Sequence, residues 1–434
     1  MSAASPTILI IGGGAGGLVL ATLLGRRLGR RGRAQIVLVD CNLTHVWKPL
    51  LHELAAGTLA ESEDALNYLS HAKEHHFRFL QGRMEGLDPV RREVRLAPLQ
   101  APDGRESLPA RCVPYDQLVL AVGSVSNDFG VRGVREHCTF LDSAAEADRL
   151  QQRLLHDCLK AQMMGAPVAS VDIRIAIVGA GATGVELAAE LHKATRQLVA
   201  YGLDAIDPDR NVRVTLIEAA PRVLPPLPER LAEATAAELE RLGIEVLTGQ
   251  QVSEVTAAGI HTRQGRFVPA GIKVWCAGIK APEFLGTLGL ETNRIGQLVV
   301  DEHLRTSDPQ VWALGDCVVY TPPGAERPIP PRAQAAHQQA YALAETLVRQ
   351  FDGRPPASFV YRDYGSLISL SYSAVGQLMG NLFGTVNIEG WLARAAYVSL
   401  YRRHQLALHG LGWVILSMLA RLFARGTRPR LKLH

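Results

Sequence analysis

Ile8-Leu-Ile-Ile-Gly12-Gly-Gly14-Ala-Gly-Gly17-Leu-Val-Leu-Ala-Thr-Leu-Leu lies almost at the start of the chain. It reads as a buried parallel strand, a G-x-G-x-x-G turn and the beginning of an apolar helix. Each glycine has its own reason to be there. Gly12 permits the tight turn, Gly14 lets a pyrophosphate touch the backbone, and Gly17 allows close helix packing, with the helix N-terminus facing the phosphates. A lone match to so short a pattern carries little weight. Here it is followed by Ile36-Val-Leu-Val-Asp40, a second strand ending in an acid able to bind a ribose hydroxyl. A dinucleotide site is therefore the better reading than a glycine-rich turn without a ligand. The same glycines assign the uncharged run Ile8 to Gly25 to strand, turn and helix, although its length alone is that of a borderline membrane span.

The pattern returns 167 residues later as Ile173-Arg-Ile-Ala-Ile-Val-Gly179-Ala-Gly181-Ala-Thr-Gly184-Val-Glu186-Leu, followed by Val212-Arg-Val-Thr-Leu-Ile-Glu218. One chain thus carries two nucleotide-binding units. Asp40 and Glu218 stand 28 and 39 residues after their first glycines, so each crossover is longer than the usual spacing of about 20. The second insertion is visible as Tyr201 to Asn211. Glu218 accepts hydrogen bonds from a 2′-hydroxyl and repels a 2′-phosphate, which favours NAD(H) over NADP(H); Arg222 nearby argues the other way. Two further apolar strands, Tyr115 to Gly123 and Lys273 to Gly278, end in small residues that let a planar ligand approach the backbone, or simply make tight turns. Val311-Trp-Ala-Leu-Gly315-Asp316 delivers a late carboxylate that can bind a polyol chain or equally cap a helix.

The 434 residues have near-average apolar and charged content, which excludes disordered, collagen-like and disulfide-scaffold proteins. With 46 basic against 42 acidic residues the chain is too balanced to coat nucleic acid. The distribution matters more. Eight of the basic residues and none of the acidic ones fall between Trp391 and His434, giving an acidic body and a basic tail. The six cysteines form no CxxC or ligand spacing, so neither a metal site nor a redox dithiol is expected, and a reducing compartment is. The N-terminus lacks the pattern of a signal peptide.

Two glycine loops, the Ala-Val-Gly123 and Cys-Ala-Gly278 strand ends and Gly315-Asp316 resemble the two-dinucleotide-binding-domain flavoproteins. More narrowly, Thr44-His-Val-Trp-Lys-Pro-Leu-Leu-His-Glu, Gly179 to Glu186, Pro331-Arg-Ala-Gln-Ala-Ala-His-Gln and the basic ending Arg428 to His434 resemble bacterial type II NADH:quinone oxidoreductase, the single-subunit respiratory NADH dehydrogenase, over essentially the whole chain. The resemblance implies FAD on Gly12, Gly14 and Gly17, with Asp40 at its ribose, Lys48 near the flavin, Gly123 and Gly278 in its surroundings and Asp316 on the ribityl chain. It implies NADH on Gly179, Gly181 and Gly184, with Glu218 at its ribose and Glu186 near nicotinamide and flavin. Ala333-Gln334-Ala-Ala-His337-Gln338 then becomes the quinone segment, Gln334 and Gln338 sharing one helical face beyond Pro331. An uncharged amide binds a quinone carbonyl without a large desolvation cost. On its own the segment also fits an exposed polar helix start, and the role of His337 stays open. The absent cysteine pair removes the thiol relay of the disulfide reductases, so electrons pass directly between flavin and substrates.

The expected fold is α/β, with two Rossmann-like units. Residues 171–290 form an NADH-binding domain inserted between the two parts of an FAD-binding domain, residues 1–170 and 291–358, and residues 359–434 form a membrane-associating region. In that region Leu411, Val414, Ile415, Met418, Leu419, Leu422 and Phe423 recur at helical spacing, with Ser417, Arg421 and Arg425 on a separate polar line. An amphipathic helix lying on the anionic lipid of the cytoplasmic face of the cell membrane fits this better than a span. Packing on the body, or a homodimer interface, is the competing reading. The expected activity is electron transfer from NADH through FAD to a membrane quinone without proton pumping. A soluble NAD(P)H-flavin reductase and an NADH-binding regulatory flavoprotein are the alternatives.

Overall fold

The computed structural model describes residues 5–59, 65–100, 105–163, 171–370, 373–380 and 384–423, and Leu431. Arg425, Arg428, Arg430 and Lys432 of the basic ending lie outside the described residues, as do the side chains of Arg421 and Leu422. Along the chain, the elements that position the sites are β1 (Thr7–Ile11), α1 (Gly17–Arg27), β2 (Gln35–Asp40), α2 (Leu51–Ala55), β3 (Arg78–Gln81) and β4 (Gln117–Leu120). There follow β5 (Thr139–Phe140), α3 (Ala144–Met163), β6 (Ile173–Val178), α4 (Ala182–Ala200), β7 (Val212–Ile217), β8 (Glu245–Leu247) and β9 (Ile272–Trp275). The last are β10 (Val311–Ala313), α5 (Ala333–Phe351), β11 (Gly365–Leu370), β12 (Ser373–Gly380), β13 (Gly384–Glu389), α6 (Gly390–His409) and α7 (Leu411–Phe423).

These elements divide into two compact units. The first comprises Met1–Trp47, Ala65–Val125 and Ile279–Arg362. Its sheet runs β10-β4-β1-β2-β3, every neighbouring pair parallel, with Ile8 opposite Ile36 on one side and Gln117 on the other. A parallel sheet is covered on both faces, which is why β1 is a continuous apolar run; Ile8, Leu9 and Ile10 are fully buried. The chain leaves β1 for β2 on one side and returns to β4 on the other, so the strand order reverses at the carboxyl end of β1. Ligands of such sheets bind in that crevice.

The second unit comprises Lys48–Asp64, Ser126–Gly278 and Asp363–His434. Its sheet, β5-β9-β6-β7-β8, repeats the first one's parallel permutation about β6. The core beneath it gathers Ala176, Ile217, Ile260 and Trp275. Trp275 keeps its indole N–H satisfied on the Asn127 carbonyl, 2.8 Å away. The same unit contains the antiparallel meander β11-β12-β13, against which α6 packs.

Gly410, at φ +85°, turns the chain from α6 into α7. Val414 is buried, so it leaves the apolar line expected from helical spacing. Ser417 points inward, its Oγ 3.5 Å from Arg402 Nη1. Leu411, Ile415, Leu416, Met418, Leu419 and Phe423 are exposed, Phe423 by 83%. The helix is amphipathic, but its apolar side faces out and its polar serine faces the protein. No helix among the described residues is long and apolar enough to cross a membrane.

Candidate functional site

The first glycine loop is shaped by clashes it avoids. A Cβ on Gly12, which sits at φ +102°, would lie 2.3 Å from the oxygen of Ala121, the residue after β4, and one on Gly17 would lie 1.9 Å from the Gly12 oxygen. Gly14 differs, since a Cβ there would meet nothing within 4 Å. Its α-carbon faces open space at the N-terminus of α1, where phosphate oxygens would need to come close. Asp40 Oδ2 accepts the Gly13 N–H at 2.7 Å and Oδ1 accepts the Asn42 N–H at 2.8 Å. The carboxylate is thereby fixed, with lone pairs left for ribose hydroxyls. Tyr68, which sequence reasoning missed, is buried and donates its hydroxyl to the Gly13 carbonyl at 2.8 Å.

At the carboxyl end of β10, Gly315 adopts φ +85° and turns the chain so that Asp316 follows. Asp316 Oδ2 accepts the Ser124 hydroxyl at 3.0 Å, and its carbonyl accepts Gln297 Nε2 at 3.0 Å. Gly123 is also left-handed, at φ +71°. A cavity of about 220 Å³ opens beside the carboxylate, lined among others by Ile279, Ile295, Gln297, Ile329 and Pro331. The open glycine, the fixed Asp40 carboxylate and Asp316 bordering a mostly apolar cavity fit FAD, a ligand with a pyrophosphate, a ribose, a polyol chain and a flat apolar ring.

Helix α5 begins at Ala333, two residues past Pro331. Gln334 and Gln338 are half-buried on its first turns. The Gln338 amide is engaged twice by one backbone, donating to the Arg362 carbonyl at 2.8 Å and accepting the Arg362 N–H at 3.0 Å. His337 stacks obliquely with Tyr341, ring centroids 5.1 Å apart. The next residue after the pair, Gln339, is buried and accepts the Gly315 N–H at 2.7 Å. Its position beside Gln338 was the only sequence signal for it.

The second loop repeats the first. A Cβ on Gly179 would lie 2.8 Å from Ala277, one on Gly184 would lie 1.9 Å from the Gly179 oxygen, and one on Gly181 would meet nothing within 4 Å. Glu218 Oε2 accepts the Ala180 N–H at 2.7 Å and Oε1 the Ala220 N–H at 2.8 Å, matching Asp40 bond for bond. Arg222 turns its guanidinium onto the Pro225 carbonyl of its own loop. Gly278 is left-handed and packs under the Phe129 ring, which a Cβ would strike at 2.4 Å. Lys48 belongs to this unit, with its ammonium 3.5 Å from Asp142 Oδ1. The residues fit a second dinucleotide.

Glu186 stands one turn into α4 and is buried under three other elements. Oε1 accepts the Ser369 N–H of β11 at 3.0 Å, and Oε2 lies 3.6 Å from Nδ1 of His52 on α2. The Tyr397 hydroxyl of α6 faces the same carboxyl without closing a hydrogen bond of full geometry. Burial first, then Glu53 and Glu190 nearby, raise the Glu186 carboxyl to about 8, against the opposing pull of the Ser369 N–H and Tyr397. Burial lowers His52 to about 4. Near neutrality the acid keeps its proton and the imidazole has none, so the contact is not an ion pair. With Oε1 taken by a backbone donor, Oε2 is the oxygen left for the proton. One turn on, Glu190 is ionically paired to Lys193, Oε2 to Nζ at 3.1 Å. Of this cluster only Glu186 was read from the sequence. His52 lay inside the quoted Thr44 to Glu53 stretch, while Ser369 and Tyr397 carry no local signal.

Residues 6–340 match the model of the pyridine nucleotide-disulphide oxidoreductases. The chain is 43% identical to a type II NADH:quinone oxidoreductase of Haemophilus influenzae, across 98% of its own length and 99% of that protein's. It is 28% identical to the type II NADH:quinone oxidoreductase of Staphylococcus aureus, covering 86% and 90% of the two chains. Among solved structures, NDH2 from Plasmodium falciparum in complex with NADH superposes with a TM-score of 0.81 at 19% identity, over 98% and 99% of the two chains. The sulfide:quinone oxidoreductase of Aquifex aeolicus does so with a TM-score of 0.72 at 17% identity, over 98% and 96%. At such identities these likenesses speak to the fold.

Proposed function

Because the chain belongs to the pyridine nucleotide-disulphide oxidoreductases and, within them, to the type II NADH:quinone oxidoreductases, we propose that it carries electrons from NADH through bound FAD to a membrane quinone without pumping protons. The observation that carries this reading is the 43% identity across the whole chain. FAD, when bound, would supply the redox chemistry that links NADH oxidation to quinone reduction. The protein's residues bind, orient and tune.

On the first loop Gly14 admits the FAD pyrophosphate, Asp40 takes its ribose hydroxyls and Asp316 its ribityl chain, with Gly12 and Gly17 holding the turn in shape. On the second, Gly181 admits the NADH pyrophosphate, and Glu218, pinned by two backbone N–H groups, takes the ribose and repels a 2′-phosphate. Glu186 offers the nicotinamide end a proton-bearing oxygen in a dry setting. Gln334, Gln338 and Ala333 form the quinone segment. The Arg362 backbone holds Gln338 in one orientation, so Gln338 acts through the lone pair its amide oxygen keeps. Residues 171–290 serve as the NADH-binding domain, flanked by the two parts of the FAD-binding domain.

The outward apolar side of α7 lies on lipid at the cytoplasmic face of the cell membrane. Each Leu, Ile, Met or Phe taken from water contributes about 1.5–3 kcal/mol when fully buried, and basic residues reaching an anionic surface add about 1 kcal/mol each. This brings the enzyme to a substrate that stays in the bilayer. The test is anaerobic: NADH bleaches the flavin band and quinone restores it. Bleaching without recovery would sink the quinone assignment.

A further inference from the structure

We propose that Gln339 is a positioning residue for the flavin, and that its side chain ties the quinone segment to the turn that carries Asp316. The inference rests on the reading of Asp316 as the ribityl acid. Gly315 is the pivot between β10 and that acid, and its left-handed backbone is open to few residues besides glycine. On the strand side the pivot is held by the Leu314 N–H, which donates to the Leu120 carbonyl at 2.9 Å. On the other side it is held by the Gly315 N–H, whose partner is Gln339 Oε1 at 2.7 Å. That oxygen comes from a side chain only 3% exposed, so water does not readily stand in for it.

The surroundings leave the turn little other freedom. Gly16, at the mouth of the first glycine loop, packs so tightly on α5 that a Cβ would lie 3.0 Å from the Ala336 carbonyl oxygen and 2.4 Å from Leu314. Gly315 itself faces the Ala336 methyl. The first turns of α5 thus have two working sides. Gln338 and His337 are half-buried on one, while Ala336 and Gln339 wedge against the pyrophosphate turn and the Asp316 turn on the other. A shift of α5 would pull on the Gly315 N–H and rotate the neighbouring carboxylate away from Ser124. An amide suits the task because its oxygen is a strong acceptor for the Gly315 N–H.

The experiment uses full-length holoenzyme and follows spontaneous FAD release by its fluorescence, with visible circular dichroism of the bound flavin as a second readout. Gln339→Met keeps the length of the side chain and removes the acceptor; Gln339→Glu keeps an acceptor oxygen whether ionised or protonated; Asp316→Ala serves as reference. FAD is expected to leave Gln339→Met about ten times faster or more, as for a stranded buried N–H, with an altered flavin dichroism. Gln339→Glu should stay within about threefold of the parent. Fast release from Asp316→Ala with parental release from Gln339→Met overturns the inference and leaves the Asp316 reading standing. Parental release from Asp316→Ala overturns that reading first. Equal loss in Gln339→Met and Gln339→Glu would show that packing, not the acceptor, matters, and would also overturn the proposal.

Discussion

Glu186→Gln should abolish an alkaline limb in the reaction with NADH. The parent carboxyl keeps its proton to about 8, because the site is dry and Glu53 and Glu190 discourage a further charge. The nearby ammonium of Lys193 is spent on Glu190. The folded protein therefore holds a proton that the unfolded chain releases near 4.5. More protons bound when folded means stability falls as pH rises. The contribution is complete below 4.5, shrinks between 4.5 and about 8, and is gone above, for a total of about 5 kcal/mol. The amide variant would hold no such proton, so the urea midpoints of parent and variant should diverge with rising pH, the variant gaining. In kcat/KM for NADH, which reports the free enzyme, the parent should decline through about pH 8 while the variant stays level. Infrared difference spectra give the direct check, since a protonated-carboxyl band should vanish with a midpoint near 8 in the parent and be absent from the variant. A midpoint near 4.5, or identical alkaline limbs in the two proteins, would refute the reasoning.

Gly181→Ala should fold normally and keep FAD while its NADH affinity falls about tenfold or more, whereas Gly184→Ala, whose Cβ meets a carbonyl oxygen at 1.9 Å, should lose about 1–3 kcal/mol of stability. Binding titrations beside thermal melts separate the two. Glu218→Gln should narrow the preference for NADH over NADPH about tenfold, because it removes the charge that repels a 2′-phosphate; an unchanged kcat/KM ratio with full flavin content would place the ribose contact elsewhere. Ending the chain before Leu411 should abolish sedimentation with anionic vesicles and slow turnover with long-tailed quinone, yet spare NADH oxidation by a small soluble acceptor. Ending it before Trp391 also removes Tyr397, which faces Glu186, and should disturb the NADH reaction itself. High salt should release only part of the full-length protein from vesicles, and complete release would mean that the apolar side of α7 does not enter lipid.

The two glycine loops were legible because each position answers to a local steric rule. Gly12 with Gly17, and Gly179 with Gly184, are forced by approaches of 1.9–2.8 Å that any Cβ would make at the strand-turn-helix junction, and Asp40 and Glu218 reach their backbone partners from the adjacent strand. Such contacts depend on short stretches whose periodicity is written in the sequence. Glu186 could be named, but its chemistry could not be read. Its proton affinity is tuned by Ser369 and Tyr397, about two hundred residues away, on β11 and α6. Those elements have no motif, only the requirement to cover an acid. Spacing said less about the amide pair. Gln334 and Gln338 share a helical face, yet the Arg362 backbone claims Gln338, and the neighbouring Gln339 on the buried side makes the bond to the Asp316 turn. Helical periodicity assigns residues to faces, and a face acquires meaning only once its neighbour is known. The same limit applies to α7. Its amphipathic pattern is identical whether the apolar side turns in or out, and buried Val414 with inward-turned Ser417, against exposed Ile415, Met418 and Phe423, decides the direction. A core helix of the same composition would hide Phe423 and expose Ser417. An outward apolar side on a helix too short to span a bilayer supports the proposed attachment to lipid, and that support comes from which side is buried and not from the pattern itself.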